Sequence, residues 1–356
     1  MRWDDQVQRF ALSNCFSKQD SRLNYKWSEH YHRLHLPRPE GLSVSLNPII
    51  RTLYASTIDE AVRLVSQLEV NSGNRLYFRG ENKDFGVTAF TPGIYRPGRL
   101  CGEHLIYREM QRFNDHEFTT DKTAFDKLAR MQHYSAPTRM LDLSEDMFSS
   151  LFFALDKRAD HTESVLYVVE LNEAQMKYYD SDAVSIIANL AKLPLHYERF
   201  SAQGKSKQAL WKEAKEYLDD RDGYNANQNL PSKQFLLHDI KEEKSYFQDI
   251  LDPKDIFRIV AVKPKLTSQR LQSQKGAFLL CGLNKADVES TIALVHAGGL
   301  LNPDADEHPV LSMTKIVLSE HITIKQLEKL GISKSYIYPE LESVSQYLTA
   351  KYTKYT

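Results

Sequence analysis

The sequence predicts an α+β protein, and three observations carry that expectation. Short apolar runs of strand type alternate with amphipathic helical stretches. They do so without the steady strand–helix rhythm of a doubly wound parallel sheet. No internal repeat or low-complexity tract interrupts the 356 residues. The expected architecture is a set of mixed or antiparallel central sheets flanked by helices.

A chain of this length buries a large core, as one big domain or two smaller ones. Its 42% apolar and 26% charged content are those of an ordinary globular protein. A net charge of -1 gives no global pull towards nucleic acid or anionic membranes. Cys15, Cys101 and Cys281 are odd in number, far apart and form no CxxC pair. That argues against a thiolate zinc site and against a disulfide scaffold, and points to a reducing compartment. The N-terminus MRWDDQVQRFALSN lacks a signal-peptide core, and no window approaches the roughly 18 apolar residues of a membrane span. A soluble, cytoplasmic protein with no membrane contact is expected.

Residues 1–55 read as an N-terminal extension, rich in His, Tyr, Arg and Pro and weak in periodicity. His30, His32 and His35 invite a metal reading, but no nearby Cys and no HExxH spacing supports one. The main domain is placed at 56–356. Thr57-Ile58-Asp59-Glu60 is a capping-box pattern opening a helix with Ile58, Val62, Val65 and Leu68 on one face. SGN at 72–74 breaks it, and RLYFRGENKDF follows as a strand that carries Arg79 and Gly80 out of an apolar run. Arginine there can hold an anion, and glycine lets a backbone or ligand approach. A second helix carries Ile106, Met110 and Phe113. A third carries Phe125, Leu128 and Gln132, with Asp121 as N-cap.

The segment QHYSAPTRMLDLSEDMFSSLFFAL (132–155) ends in a helix apolar on nearly every side, hence buried, with Ser144 as N-cap. Thr138, Arg139, Asp142 and Ser144 just ahead of it must find partners or a ligand. SVLYVVEL (164–171) is a strand. Residues 181–250 are mostly polar and helical in pattern, and read as an insertion with a loop at YLDDRDGYNANQNLPSK. Strands resume with IFRIVAVKP, GAFLLCG and MTKIVLS, and the chain closes on IKQLEKL and GISKSYIYPELESVSQYL.

Four ordered blocks, YFRGE, QHYSAPTRMLDLS, RLQSQKGAF and LEKLGISKSYIYPELE, resemble the FRG-domain family, named for the signature that Phe78, Arg79 and Gly80 spell here. Gln132, His133, Pro137, Thr138, Arg139, Leu141, Asp142 and Ser144 match its second block. Ser135 or Ala136 stands where the family usually has glycine, and Leu143 where it has tryptophan. Arg270, Leu271, Gln274, Gly276 and Phe278 match the third. The resemblance covers about 57–174 and 253–347.

The block order also looks like the ADP-ribosyltransferase fold. That likeness implies NAD as substrate, held by Arg79 and approached closely at Gly80, with Thr138, Arg139, Asp142 and Ser144 as further binding residues. It implies a catalytic role for Arg79 and a carboxylate from the late motif; His133, at a helix end, is a further catalytic candidate for acid–base work. No Asp or Glu lies between Gln269 and Cys281, so that place falls to Gln274 or Gln272, with Asp142 or Glu81 as replacement acids. The family likeness further implies an effector that modifies a macromolecule, protein or nucleic acid. Bacterial toxins and antiphage defence proteins are such effectors, and an antitoxin or companion defence protein would be a partner. Tyr and His in the extension, with Arg33 and Arg38, offer stacking and phosphate contacts.

Each residue also has a structural reading. Arg79 pairs with Asp142 or meets a ligand; Arg139 bonds Asp142 or faces the site. His133 caps a helix end or moves protons, and Gln274 and Gly276 shape a bulge or a site. The alternative function is a non-catalytic module that binds a nucleotide or partner and regulates a defence system.

Overall fold

A computed structural model describes residues 50–86, 89–96, 98–194, 224–225, 230–231, 233–251, 255–256, 258–266, 272, 274, 276–282, 310–339, 345, 348 and 349. The chain divides into two compact units, 1–47 and 48–356. The expected roles of His30, His32, His35, Arg33, Arg38, Arg270 and Leu271, and the end of the tail motif, fall outside the described residues.

The strands are β1 (Ile50–Ala55), β2 (Asn74–Glu81), β3 (Met140–Ser144), β4 (Ser164–Asn172), β5 (Lys177–Tyr178), β6 (Tyr224–Asn225), β7 (Leu230–Pro231), β8 (Ile259–Lys263), β9 (Gly276–Cys281) and β10 (Val310–Leu318). Among the described residues the main sheet has eight strands in the order β1-β10-β4-β2-β3-β9-β8-β5. Only its two edge pairs are parallel. A mixed sheet with helices agrees with the expected mixed or antiparallel sheets flanked by helices. The helices are α1 (Ile58–Ser66), α2 (Glu103–Phe113), α3 (Asp115–Phe118), α4 (Ala124–His133), α5 (Met147–Leu155), α6 (Asp182–Asn189), α7 (Lys233–Glu243), α8 (Ile324–Lys329) and α9 (Lys334–Ile337).

β4 is apolar on successive residues because both of its faces are covered. Leu166 and Val168 pack with Phe152, Leu151 and Ile316 beneath α5 and α1. Val165, Tyr167, Val169 and Leu171 pack with Phe90, Ile94 and Leu141 on the opposite face. A third core lies between β8, β9 and the helices α2, α4, α6 and α7, through Val260, Phe278, Leu128, Val184, Ile187 and Ile240.

Local signals set most boundaries. Thr57 caps α1 as expected, its hydroxyl accepting from Glu60 N at 3.2 Å. The buried side of α1 is Ala61 with Ile58 and Val65, while Val62 turns outward. α4 starts from Thr123 in a full capping box with Asp126, not from Asp121. Asp121 is instead held by the guanidinium of Arg130 at 2.6 and 2.8 Å. α5 is capped by Asp146, which accepts from Phe148 N and Ser149 N, because Ser144 is still the last residue of β3.

β1, the last six residues of the expected extension, is an edge strand of the sheet. Residues 181–250 add no strand to that sheet among the described residues; β6 and β7 pair with each other. α6 is buried from Ala183 to Asn189 and, with Leu236, Leu237 and Ile240 of α7, forms the layer under β8 and β9. The polar average of the segment hides the apolar stretch DAVSIIANLAKL. Among the described residues Cys281 is a free, buried cysteine. No helix among the described residues is long and apolar enough to cross a membrane.

Candidate functional site

β2 and β3 are neighbours in the middle of the sheet, yet they share a single pair, Phe78 with Ser144. β2 is bonded to β4 from Asn74 to Glu81, and β3 to β9 from Met140 to Ser144. Beyond Phe78 the two central strands part, and side chains occupy the seam. The guanidinium of Arg79 donates from Nη1 to the backbone oxygen of Asp142 at 3.1 Å, standing in for a ladder bond. Its Nε donates to Oε1 of Glu81 at 3.2 Å. The Asp142 carboxylate lies 3.9 Å from Nη1, with side-chain exposures of 20% for Arg79 and 54% for Asp142.

Asp142 is oriented from behind. Gln132, at the end of α4, donates from Nε2 to Asp142 Oδ2 at 2.8 Å. The Thr138 hydroxyl donates to Gln132 Oε1 at 2.5 Å, which fixes which end of the amide faces Asp142. Thr138 is fully buried, and its oxygen also accepts from Met140 N. A chain of polar contacts therefore runs from Thr138 through Gln132 and Asp142 to Arg79. Gln132 looks like part of a helix face in the sequence; its place in the Gln-His block was the signal that it faces the site.

Glu81 is the other partner of Arg79. Its side chain is only 6% exposed. Oε1 accepts from Phe90 N at 3.0 Å as well as from Arg79, while buried Oε2 has no hydrogen-bond partner among the described residues. The buried Tyr167 hydroxyl is likewise unpartnered there, and Tyr167 pairs in register with Arg79. Burial first, and the nearby Glu81 carboxylate second, raise the Tyr167 phenol well above its ordinary range.

Other expected site residues are committed elsewhere. Arg139 is completely buried and forked onto Glu103 of α2, Nε to Oε1 at 2.9 Å and Nη2 to Oε2, with Nη1 on the Cys281 carbonyl at 3.2 Å. It is three residues, an odd number, from Asp142, and the alternation of an extended chain sends two such side chains to opposite faces. A Cβ on Gly80 would lie 1.9 Å from Ser150 O and 2.6 Å from Ala154 N, so the room beside that glycine is filled by α5. Ser144 spends its hydroxyl between Gln274 O and Asp146 N. Gln274 donates its amide to Ile337 O at 3.0 Å, tying β9 to α9. His133 ends α4 with its ring edge-on to Tyr134 at 5.0 Å. The described residues hold no cluster of metal-ligating side chains.

Residues 74–163 match the FRG domain. The chain carries an FRG domain. That FRG domain opens on the first residue of β2 and ends just before β4. It contains Arg79, Glu81, Gln132, Thr138 and Asp142, and excludes the strands that flank the seam on either side. The seam is therefore internal to the FRG domain, whereas Gln274 is supplied from outside the matched residues. No curated protein and no solved structure matches the chain.

Proposed function

We propose that this protein is an NAD-consuming, ADP-ribosyltransferase-like effector acting on a macromolecule, protein or nucleic acid, in the manner of a bacterial toxin or antiphage defence protein. The observation that carries the reading is the seam itself. A partly exposed arginine and an exposed, oriented carboxylate lie 3.9 Å apart where two central strands share a single pair. Bound NAD supplies a labile bond between ribose C1′ and nicotinamide, which leaves with the bonding electrons while an acceptor atom takes its place and sheds a proton. Arg79 donates to ribose or phosphate oxygens. Asp142, rather than Gln274, places negative charge against the carbon that becomes electron-poor. Gln132 and Thr138 hold that carboxylate in one orientation.

The donor set fits a ribose diol, since among the described residues no hydrogen bond uses Arg79 Nη2 or Asp142 Oδ1. The test is incubation of labelled NAD with protein and cell extract, followed by separate nuclease and protease digestion. Label that enters one class of macromolecule, and disappears with Asp142→Asn at unchanged melting temperature, supports the transferase. Full labelling by that variant removes it. The second reading, a non-catalytic nucleotide- or partner-binding regulatory module, is favoured by one observation: the late motif offers an amide bonded to Ile337 O in place of an acid. It predicts NAD binding without transfer.

A further inference from the structure

We infer that Glu81 is a specificity determinant of the Arg79 site, cancelling the guanidinium charge so that the seam takes the uncharged diol of a ribose in preference to a phosphate. The inference rests on the reading that a nucleotide occupies the seam, and it narrows which part of that nucleotide lies against Arg79.

The charges decide it. Arg79 contributes one positive charge, and Glu81 and Asp142 contribute two negative ones, all within 3.9 Å contacts. The lysine on the same face, Lys315, pairs in register with Tyr167, but its ammonium is bound to Asp84 at 2.6 Å. The Phe90 N–H that reaches this cluster is spent on Glu81 Oε1. A phosphate entering here meets a net negative cluster. A diol meets matched groups: it accepts from Arg79 Nη2 and donates to Asp142.

Glu81 is suited to this role by its surroundings. Oε2 is buried, and no hydrogen bond among the described residues offsets its charge. In such low-dielectric surroundings its field on Arg79 is screened far less than that of a surface acid. A residue that served only to hold Arg79 in place would need one oxygen, and Oε1 already provides it.

The test uses the full chain, titrated calorimetrically with inorganic pyrophosphate and with NAD at fixed ionic strength, as parent and as Glu81→Gln. Glutamine keeps the oxygen that accepts from Arg79 and Phe90 and removes the negative charge. The expected result is a rise in pyrophosphate affinity of about tenfold or more, with NAD affinity changed by no more than about threefold. Pyrophosphate affinity that stays the same or falls overturns the inference. If Glu81→Gln melts well below the parent, Asp142→Asn is the second arm; it must also raise pyrophosphate affinity, and failure there overturns the inference too. Absence of NAD binding by the parent would defeat the transferase reading, while the pyrophosphate ratio between parent and variant still decides the role of Glu81.

Discussion

Two arginines in neighbouring blocks of the sequence have opposite fates, and the difference lies in residues far from them in the chain. Arg139 is enclosed and forked onto Glu103, thirty-six positions away. Its replacement by Met leaves a buried carboxylate unpaired and should cost about 3–5 kcal/mol in denaturant unfolding, much of it regained when Glu103 also becomes apolar. The Arg79–Asp142 pair is half exposed at 3.9 Å and contributes about 0–1 kcal/mol, so Asp142→Asn should melt near the parent. Arg79→Ala gives up the charge-assisted bond to Glu81 and should cost about 1–3 kcal/mol. It should also lose labelling from NAD, and Arg79→Lys should recover little of it, because a lysine lacks the fork. Sequence pattern marked both arginines as candidates. It could not separate them, since Glu103 reads as an ordinary acid in the first turn of a helix.

The end of α4 shows how much of an element can be read from its local chemistry. Ser135 N donates to Gln132 O and Ala136 N to Met131 O, the double closure of a Schellman turn, and Ser135 has φ of 63°. Gly331 closes α8 in the same way at φ of 88°. Of the two positions where the FRG pattern has glycine, Ser135 is therefore the one that adopts the left-handed conformation. Ser135→Gly should raise stability by about 0.5–1 kcal/mol in thermal melting, and a fall would refute this account of the turn. Gly80→Ala tests the reverse case. The added methyl is driven into the α5 backbone, and a loss of about 1–3 kcal/mol or more is expected. The glycine and the apolar helix were both legible in the sequence. That one exists to admit the other was not, because the close approach is set by tertiary packing.

At the scale of the whole molecule, strand and helix patterns made the class of fold legible, while averages over long segments misled. The polar flanks of residues 181–250 concealed α6, which the core under β8 and β9 requires. That core also buries His104, whose imidazole is held down to about 4, by burial first and by the charge of Arg108 second. The unfolded chain takes up this proton near pH 6.5 and the folded chain only near 4. Its contribution is thus complete above pH 6.5 and is lost as pH falls towards 4, up to about 3 kcal/mol. Glu243, raised by burial, acts with the opposite sign, since the folded state binds its proton more tightly than the unfolded chain. Melting curves from pH 7 to 4 should fall steeply for the parent and less so for His104→Gln; parallel curves would remove His104 from the account.

The single pair between β2 and β3 also has a mechanical meaning. The sheet is two well-laced plates joined at one stitch, and what keeps them in line is the helices and side chains that cross the join. Amide hydrogens of residues 78–81 and 142–144 should therefore exchange with deuterium sooner than those of β4. A molecule that grips Arg79 and Asp142 together would act as a clasp and slow that exchange, whichever chemistry follows.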